Sequence, residues 1–161
     1  MTQLMARILT ATALMVTALA SLARAEEILL WTAQEDGGLV SLSYGSFDRG
    51  NIPIFNLSCF NGMNTAVLNL HEELSGTEPG QKITIDIAAE AGRTPVQGEA
   101  APNERGGPLF AEASGVAIAP VLNVLKTPGP VTVSVGNTRV TLSDTGRSEA
   151  VAQFSKDCQV E

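Results

Sequence analysis

Gln81-Lys82-Ile83-Thr84-Ile85-Asp86-Ile87-Ala88 sets isoleucine at every second position, with Lys82, Thr84 and Asp86 between. Successive side chains of a strand leave on opposite faces, so Ile83, Ile85 and Ile87 share an inward face and the polar set an outward one. A period of 2 held this long predicts a half-buried strand. The same reading spreads upstream. Ile54 to Phe60 alternates Phe55, Leu57 and Cys59 against Asn56 and Ser58, and Thr65 to His71 alternates Ala66, Leu68 and Leu70 against Thr65, Asn69 and His71. Asn61-Gly62-Met63-Asn64 between them has the composition of a hairpin turn. Further back, Ile28 to Thr32 and Leu39 to Tyr44 flank Gln34-Glu35-Asp36-Gly37-Gly38, whose acidic and glycine residues predict a turn between two opening strands.

Downstream the periodicity fails and then returns. Ala89 to Pro108 collects Gly92, Pro95, Gly98, Pro102, Gly106, Gly107 and Pro108 without any repeat, which predicts a long loop, or a loop with one ragged edge strand. Phe110 to Ile118 reads as a strand. Ala119 to Lys126 reads as a helix of about two turns with Pro120 in its first turn, stopped by Pro128-Gly129-Pro130. Val131, Val133 and Val135 run into Gly136-Asn137, and Val140 and Leu142 return, which is a hairpin signal. Last, Ser143 or Asp144 is placed to cap a helix through Cys158 that sets Ala150, Val151, Phe154 and Cys158 on one face. Seven or eight short strands and two small helices define a mainly β fold: an antiparallel β-sandwich or barrel-like domain with one short internal helix and a C-terminal helix.

The N-terminus reads as an address. Arg7 supplies a positive start, Ile8 to Leu22 is uncharged and mostly apolar, and Ala23-Arg24-Ala25 offers small residues at −3 and −1, so residues 1–25 are expected to be a signal peptide cleaved before Glu26. As a helix these fifteen residues rise only about 22 Å against a hydrocarbon core of roughly 30 Å, which argues against an anchor, and nothing later in the chain approaches eighteen consecutive apolar residues, so no stable membrane insertion is expected after cleavage. The remainder, 26–161, is one domain of ordinary size, expected to be periplasmic or secreted. The whole chain of 161 residues has 10 Lys and Arg against 17 Asp and Glu, for a net charge of −7. That balance argues against nucleic acid, which demands clustered cations.

Export makes the cysteines readable. Cys59 and Cys158 are the chain's two, and in an oxidising compartment they have one pairing open to them. Their spacing is not that of a C-x-x-C redox pair, and two Cys with the single His fall short of a four-ligand zinc site. The expected bridge closes a loop of about 100 residues, for which the chain-entropy model allows at most ~4.7 kcal/mol.

Both ends of the mature chain carry a pattern. Trp31 on an opening strand, Pro53-Ile54-Phe55-Asn56-Leu57-Ser58-Cys59, and Val140 to Gly146 followed by Ala150-Val151-Ala152-Gln153-Phe154-Ser155-Lys156-Asp157-Cys158 resemble a group of exported bacterial proteins. That group includes the type VI secretion-associated VasI-like proteins, and the invasion-associated locus B family shares its general style with more cysteines. The resemblance implies a periplasmic, disulfide-closed β domain with an accessory role. It carries over no catalytic residue.

Residue chemistry adds little to this. His71 precedes Glu72-Glu73, but a zinc-protease helix needs a second His at i+4 and the chain has none, so His71 reads as a surface residue at a strand end. Glu72, Glu73 and Glu78 lack ordered calcium-ligand spacing and read as a solvated charge run. No nucleophile elbow, dinucleotide fingerprint or phosphate loop occurs, and Gly106-Gly107-Pro108 lacks the strand-to-helix setting of a phosphate cradle. No catalytic residue, metal site or cofactor is therefore assigned. Because recognition concentrates in loops on rigid scaffolds, Arg93, Glu99, Glu104 and Arg105 of the long loop are the candidate binding residues. The expected function is a non-enzymatic binding or accessory module contacting a secreted or envelope protein or another envelope component. A small carboxylate-dependent hydrolase is the alternative if two buried acids converge in one pocket, and a small-ligand or inhibitor domain if an apolar cavity free of acids is enclosed.

Overall fold

The computed structural model describes residues 28–46, 50–104 and 106–160, so the signal segment and Arg105 lie outside the described residues. Nine strands form one antiparallel sheet in the order β1-β2-β3-β4-β7-β6-β5-β8-β9. They are β1 (Leu29–Asp36), β2 (Leu39–Ser46), β3 (Phe55–Phe60), β4 (Thr65–Leu70), β5 (Lys82–Ala89), β6 (Gly92–Ala101), β7 (Phe110–Ala117), β8 (Val131–Val135) and β9 (Thr138–Leu142). The helices are α1 (Ile118–Leu125) and α2 (Arg147–Asp157). The sheet curls into a half-barrel, so of the two architectures expected the barrel-like one is realised and the two-sheet sandwich is not.

Alternation decides which face is covered. Val40, Leu42 and Tyr44 of β2, Phe55, Leu57 and Cys59 of β3, Ala66, Leu68 and Leu70 of β4, and Ile85 and Ile87 of β5 are all buried on the inner side. The helices fill this concave side, α1 against β5 and β6, α2 against β1 and β2. From α1 come Ile118, Val121, Leu122, Val124 and Leu125, and from α2 come Ala150, Val151 and Phe154. Apolar burial on this scale is the main source of stability, at about 25 cal/mol per Å² of apolar surface removed from water.

Three expectations need correction. Gly92 to Ala101 is a ten-residue strand, not a loop, and lies inside the sheet. It pairs with β5 from Gly92 to Glu99 but with β7 over Glu99, Ala100 and Ala101 alone. Pro95 therefore stands where β6 is not paired with β7, and its missing N–H is tolerated there as on an edge. Gly98 is where β6 closes on β7, and any Cβ at this position would collide with the Glu112 carbonyl. The periodicity is lost because these two residues answer to the backbone and not to the core.

The second correction concerns the start of α2. Its N-cap is Gly146, with φ 75°, and neither Ser143 nor Asp144 makes a side-chain cap. Ser143 is already used: its carbonyl accepts from Trp31 Nε1 at 2.6 Å and its amide donates to the Tyr44 hydroxyl at 3.2 Å. The third concerns His71, which is not a plain surface residue but half-buried, its ring 4.6 Å from that of Phe110.

The disulfide joins Cys59 to Cys158 with Cα atoms 6.2 Å apart, inside the usual range for a bridge. Both cysteines are fully buried. The bridge pins the end of α2 to β3 as the inward faces of both elements require. Among the described residues, no helix is long and apolar enough to cross a membrane.

Candidate functional site

Among the described residues the outer face of the sheet carries no helix, and its outward residues fall into three zones along β4. Thr65, Val67, Asn69 and His71 point outward in turn, two residues apart, so Val67 and His71 stand roughly 13 Å from each other along the strand.

At the Val67 end lies an apolar corner. Leu39 pairs directly with Phe60, Val67 pairs with Ser58 beside it, and the amide of Met63 donates to the Phe60 carbonyl at 2.9 Å. Phe60 and Val67 are thus diagonal cross-strand neighbours, within reach for an aromatic ring. Exposure is high: Phe60 60%, Met63 52%, Leu39 40% and Val67 37%. Leu39, Phe60 and Val67 occupy the strand positions opposite in direction to Val40, Cys59 and Ala66, so the pleat that buries the disulfide is what turns them out, and Met63 joins them from the β3–β4 turn.

Across the middle runs a polar row. The register places Ser43, Asn56, Asn69, Glu112, Glu99 and Lys82 side by side on six successive strands. Beside it, the Ser58 hydroxyl donates to Asn56 Oδ1 at 2.9 Å and shares a 2.9 Å hydrogen bond with Ser41. Glu99 and Glu112 are directly opposed like charges, an unfavourable cross-strand pair. Lys82 Nζ answers Glu99 at 2.7 Å, while Glu112 has no ion-pair partner among the described residues.

At the His71 end is a groove of about 470 Å³ whose walls include Ile52, His71, Glu99, Glu104, Phe110 and Glu112. A second hollow of about 380 Å³ adjoins it through the shared Glu99 and Glu112 and extends to Lys82, Gln97 and Ser114. Burial against the sheet lowers the His71 pKa from its ordinary value, because a buried ring disfavours the protonated, charged form. Among the described residues no His, Cys, Asp and Glu set is arranged to hold a metal ion. Chemically the groove is a row of carboxylate acceptors with one aromatic wall. It suits a donor-rich, cationic group.

The candidate loop residues do not act together. Glu99 and Glu104 both line the groove. Arg93 sits at the far end of β6, where its Nη2 holds Asp86 Oδ1 at 2.8 Å. Glu72 is half-buried, and Glu73 and Glu78 are exposed, all three on the β4–β5 connection. Sequence reasoning missed Glu112, Phe110 and the apolar corner as surface features. Phe60 ends a strand whose other apolar residues point inward, and the parity of its position was the available signal. Comparison of the chain with protein-family models, with curated proteins and with solved structures finds no match.

Proposed function

We propose that the protein is an exported, non-enzymatic binding module of the bacterial envelope that contacts another protein through the outer face of its sheet. The observation that carries this reading is the apolar corner of Leu39, Phe60, Met63 and Val67, exposed where the other large apolar side chains of the described residues are mostly buried. Clustered exposed apolar surface rimmed by polar residues marks contact sites. The carboxylates of Glu99, Glu104 and Glu112, farther along the same face, favour a partner segment carrying Lys or Arg some way from its apolar anchor. A disulfide as the state of both cysteines is compatible with an oxidising compartment. Kinship with the exported single-disulfide β proteins that the chain's ends resemble belongs to the same proposal.

Pull-down from an envelope extract with the mature protein tests it. Wild type should retain one envelope protein in stoichiometric amount, and both Phe60→Ser/Val67→Ser and Glu99→Gln/Glu112→Gln should lose it while Lys156→Ala on α2 keeps it. Retention that ignores the outer-face substitutions would remove the reading.

A carboxylate-dependent hydrolase is the second reading, favoured by the direct opposition of Glu99 and Glu112. Against it, Glu112 is only partly buried, and the Glu99 side chain is 45% exposed and tied to Lys82. Glycan clefts also place their acids among aromatic platforms, and Phe110 is the aromatic residue of the groove besides His71.

A further inference from the structure

On the opposite side of the molecule, where the end of α1 meets the start of α2, lies a cavity of about 450 Å³. Arg147, the first residue of α2, lines it and is 3% exposed. Its Nη2 donates to the carbonyl oxygens of Thr127 and Gly129, which latches the segment after α1 to the start of α2. Its Nη1 is buried with no hydrogen-bond partner among the described residues. Among the described residues no carboxylate stands within ion-pair distance of this guanidinium, although Asp144 is near enough to act on it electrostatically. A buried charge left without its full set of partners is costly, and its field in a poorly screened wall is strong.

The rest of the cavity completes a pattern. Lys126 stands on its rim at the C-cap of α1, and Ser148 contributes a hydroxyl from the first turn of α2. The Arg147 and Ala150 amides are taken, by the Asp144 and Gly146 carbonyls, while the leading amides of any helix otherwise lack intrahelical acceptors and favour negative charge. Two cations against the single carboxylate of Asp144 leave one net positive charge. Leu125 and Val151 supply an apolar floor.

We propose that this cavity binds a small organic monoanion, a carboxylate carried on a short aliphatic body. The carboxylate sits between Lys126, the start of α2 and the wall that contains Arg147, and the aliphatic body lies on Leu125 and Val151. A phosphate dianion would exceed the one available positive charge and leave the apolar floor unused. The site is separate from the outer face and does not depend on the binding role assigned there.

Amide-resolved NMR titration of the mature protein with sodium hexanoate tests this, with inorganic phosphate and 1-hexanol as the two comparison probes. Hexanoate should produce saturable shifts confined to the segments around Lys126 and Arg147, exceeding those of either comparison probe. Asp144→Asn removes the competing carboxylate and should tighten hexanoate binding by about two- to five-fold, whereas Lys126→Gln should weaken it by a similar factor. Both residues are exposed, so neither substitution threatens folding. Shifts with phosphate equal to those with hexanoate would reduce the effect to charge screening, and equal shifts with 1-hexanol would leave no role for the cations. Either result, or no saturable shift in wild type and Asp144→Asn alike, would overturn the proposal and leave Arg147 as a structural latch alone.

Discussion

Single residues fix where the backbone departs from its regular course. Gly146 adopts φ 75° and a Cβ there would stand 3.0 Å from the Trp31 carbonyl oxygen, so it meets both a conformational and a steric demand. Gly146→Ala should destabilise the fold by about 1–2 kcal/mol from the left-handed conformation alone, read as a lower urea midpoint with an unchanged slope. An unaffected midpoint would show that the turn relaxes freely. His71 gives a pH signature. Burial lowers its folded pKa, so protonation favours the unfolded chain: the cost is absent well above the unfolded value of about 6.5 and grows as pH falls below it. Stability of wild type and His71→Gln should therefore run parallel above about pH 6.5 and diverge below, wild type falling faster. Parallel curves down to pH 5 would contradict the burial. Little of this residue-level detail was legible in the sequence, because both the αL turn at Gly146 and the Phe110 contact of His71 depend on which elements meet in space.

Elements divide by whether the core dictated their residues. β5 was legible since Ile83, Ile85 and Ile87 all answer to one buried face, and the β8–β9 hairpin likewise through its valines. β6 was not, since Pro95 and Gly98 are placed by a missing neighbour and by a close backbone approach, and neither leaves a period of 2. The groove inherits that difficulty: Glu99 looked like a loop residue, and its partnership with Glu112 follows from a register that joins strands distant in sequence. α2 was legible through Ala150, Val151, Phe154 and Cys158, but an isolated helix of 11 residues is marginal in water. Its hold on the sheet is the apolar face plus the Cys59–Cys158 bridge. Cys59→Ala/Cys158→Ala should cost about 2–5 kcal/mol and lower the melting temperature markedly, with reduced wild type behaving alike. Hydrogen exchange should show α2 losing protection before β3–β4. Loss spread evenly over the sheet would mean that the bridge does not act through α2.

At the scale of the molecule, one curled sheet has an inner face closed by two helices and an outer face left open, and the division of residues follows it. Inner positions are apolar almost without exception. The outer positions grade along β4 from the apolar corner through the serine and asparagine row to the acidic groove, so one partner lying along the strand can meet all three zones. The two-residue alternation of β3 and β4 made the inward and outward sets legible, while the grading of the outer set depends on which strands lie side by side and on both helices packing against the other face. The most direct measurement of a binding role for this face is site-specific photo-crosslinking in intact cells from positions 60 and 71, with position 156 on α2 as control. The outer-face account predicts one discrete crosslinked species from both positions, and none from the control. Crosslinks absent from positions 60 and 71, or equally abundant from 156, would contradict it.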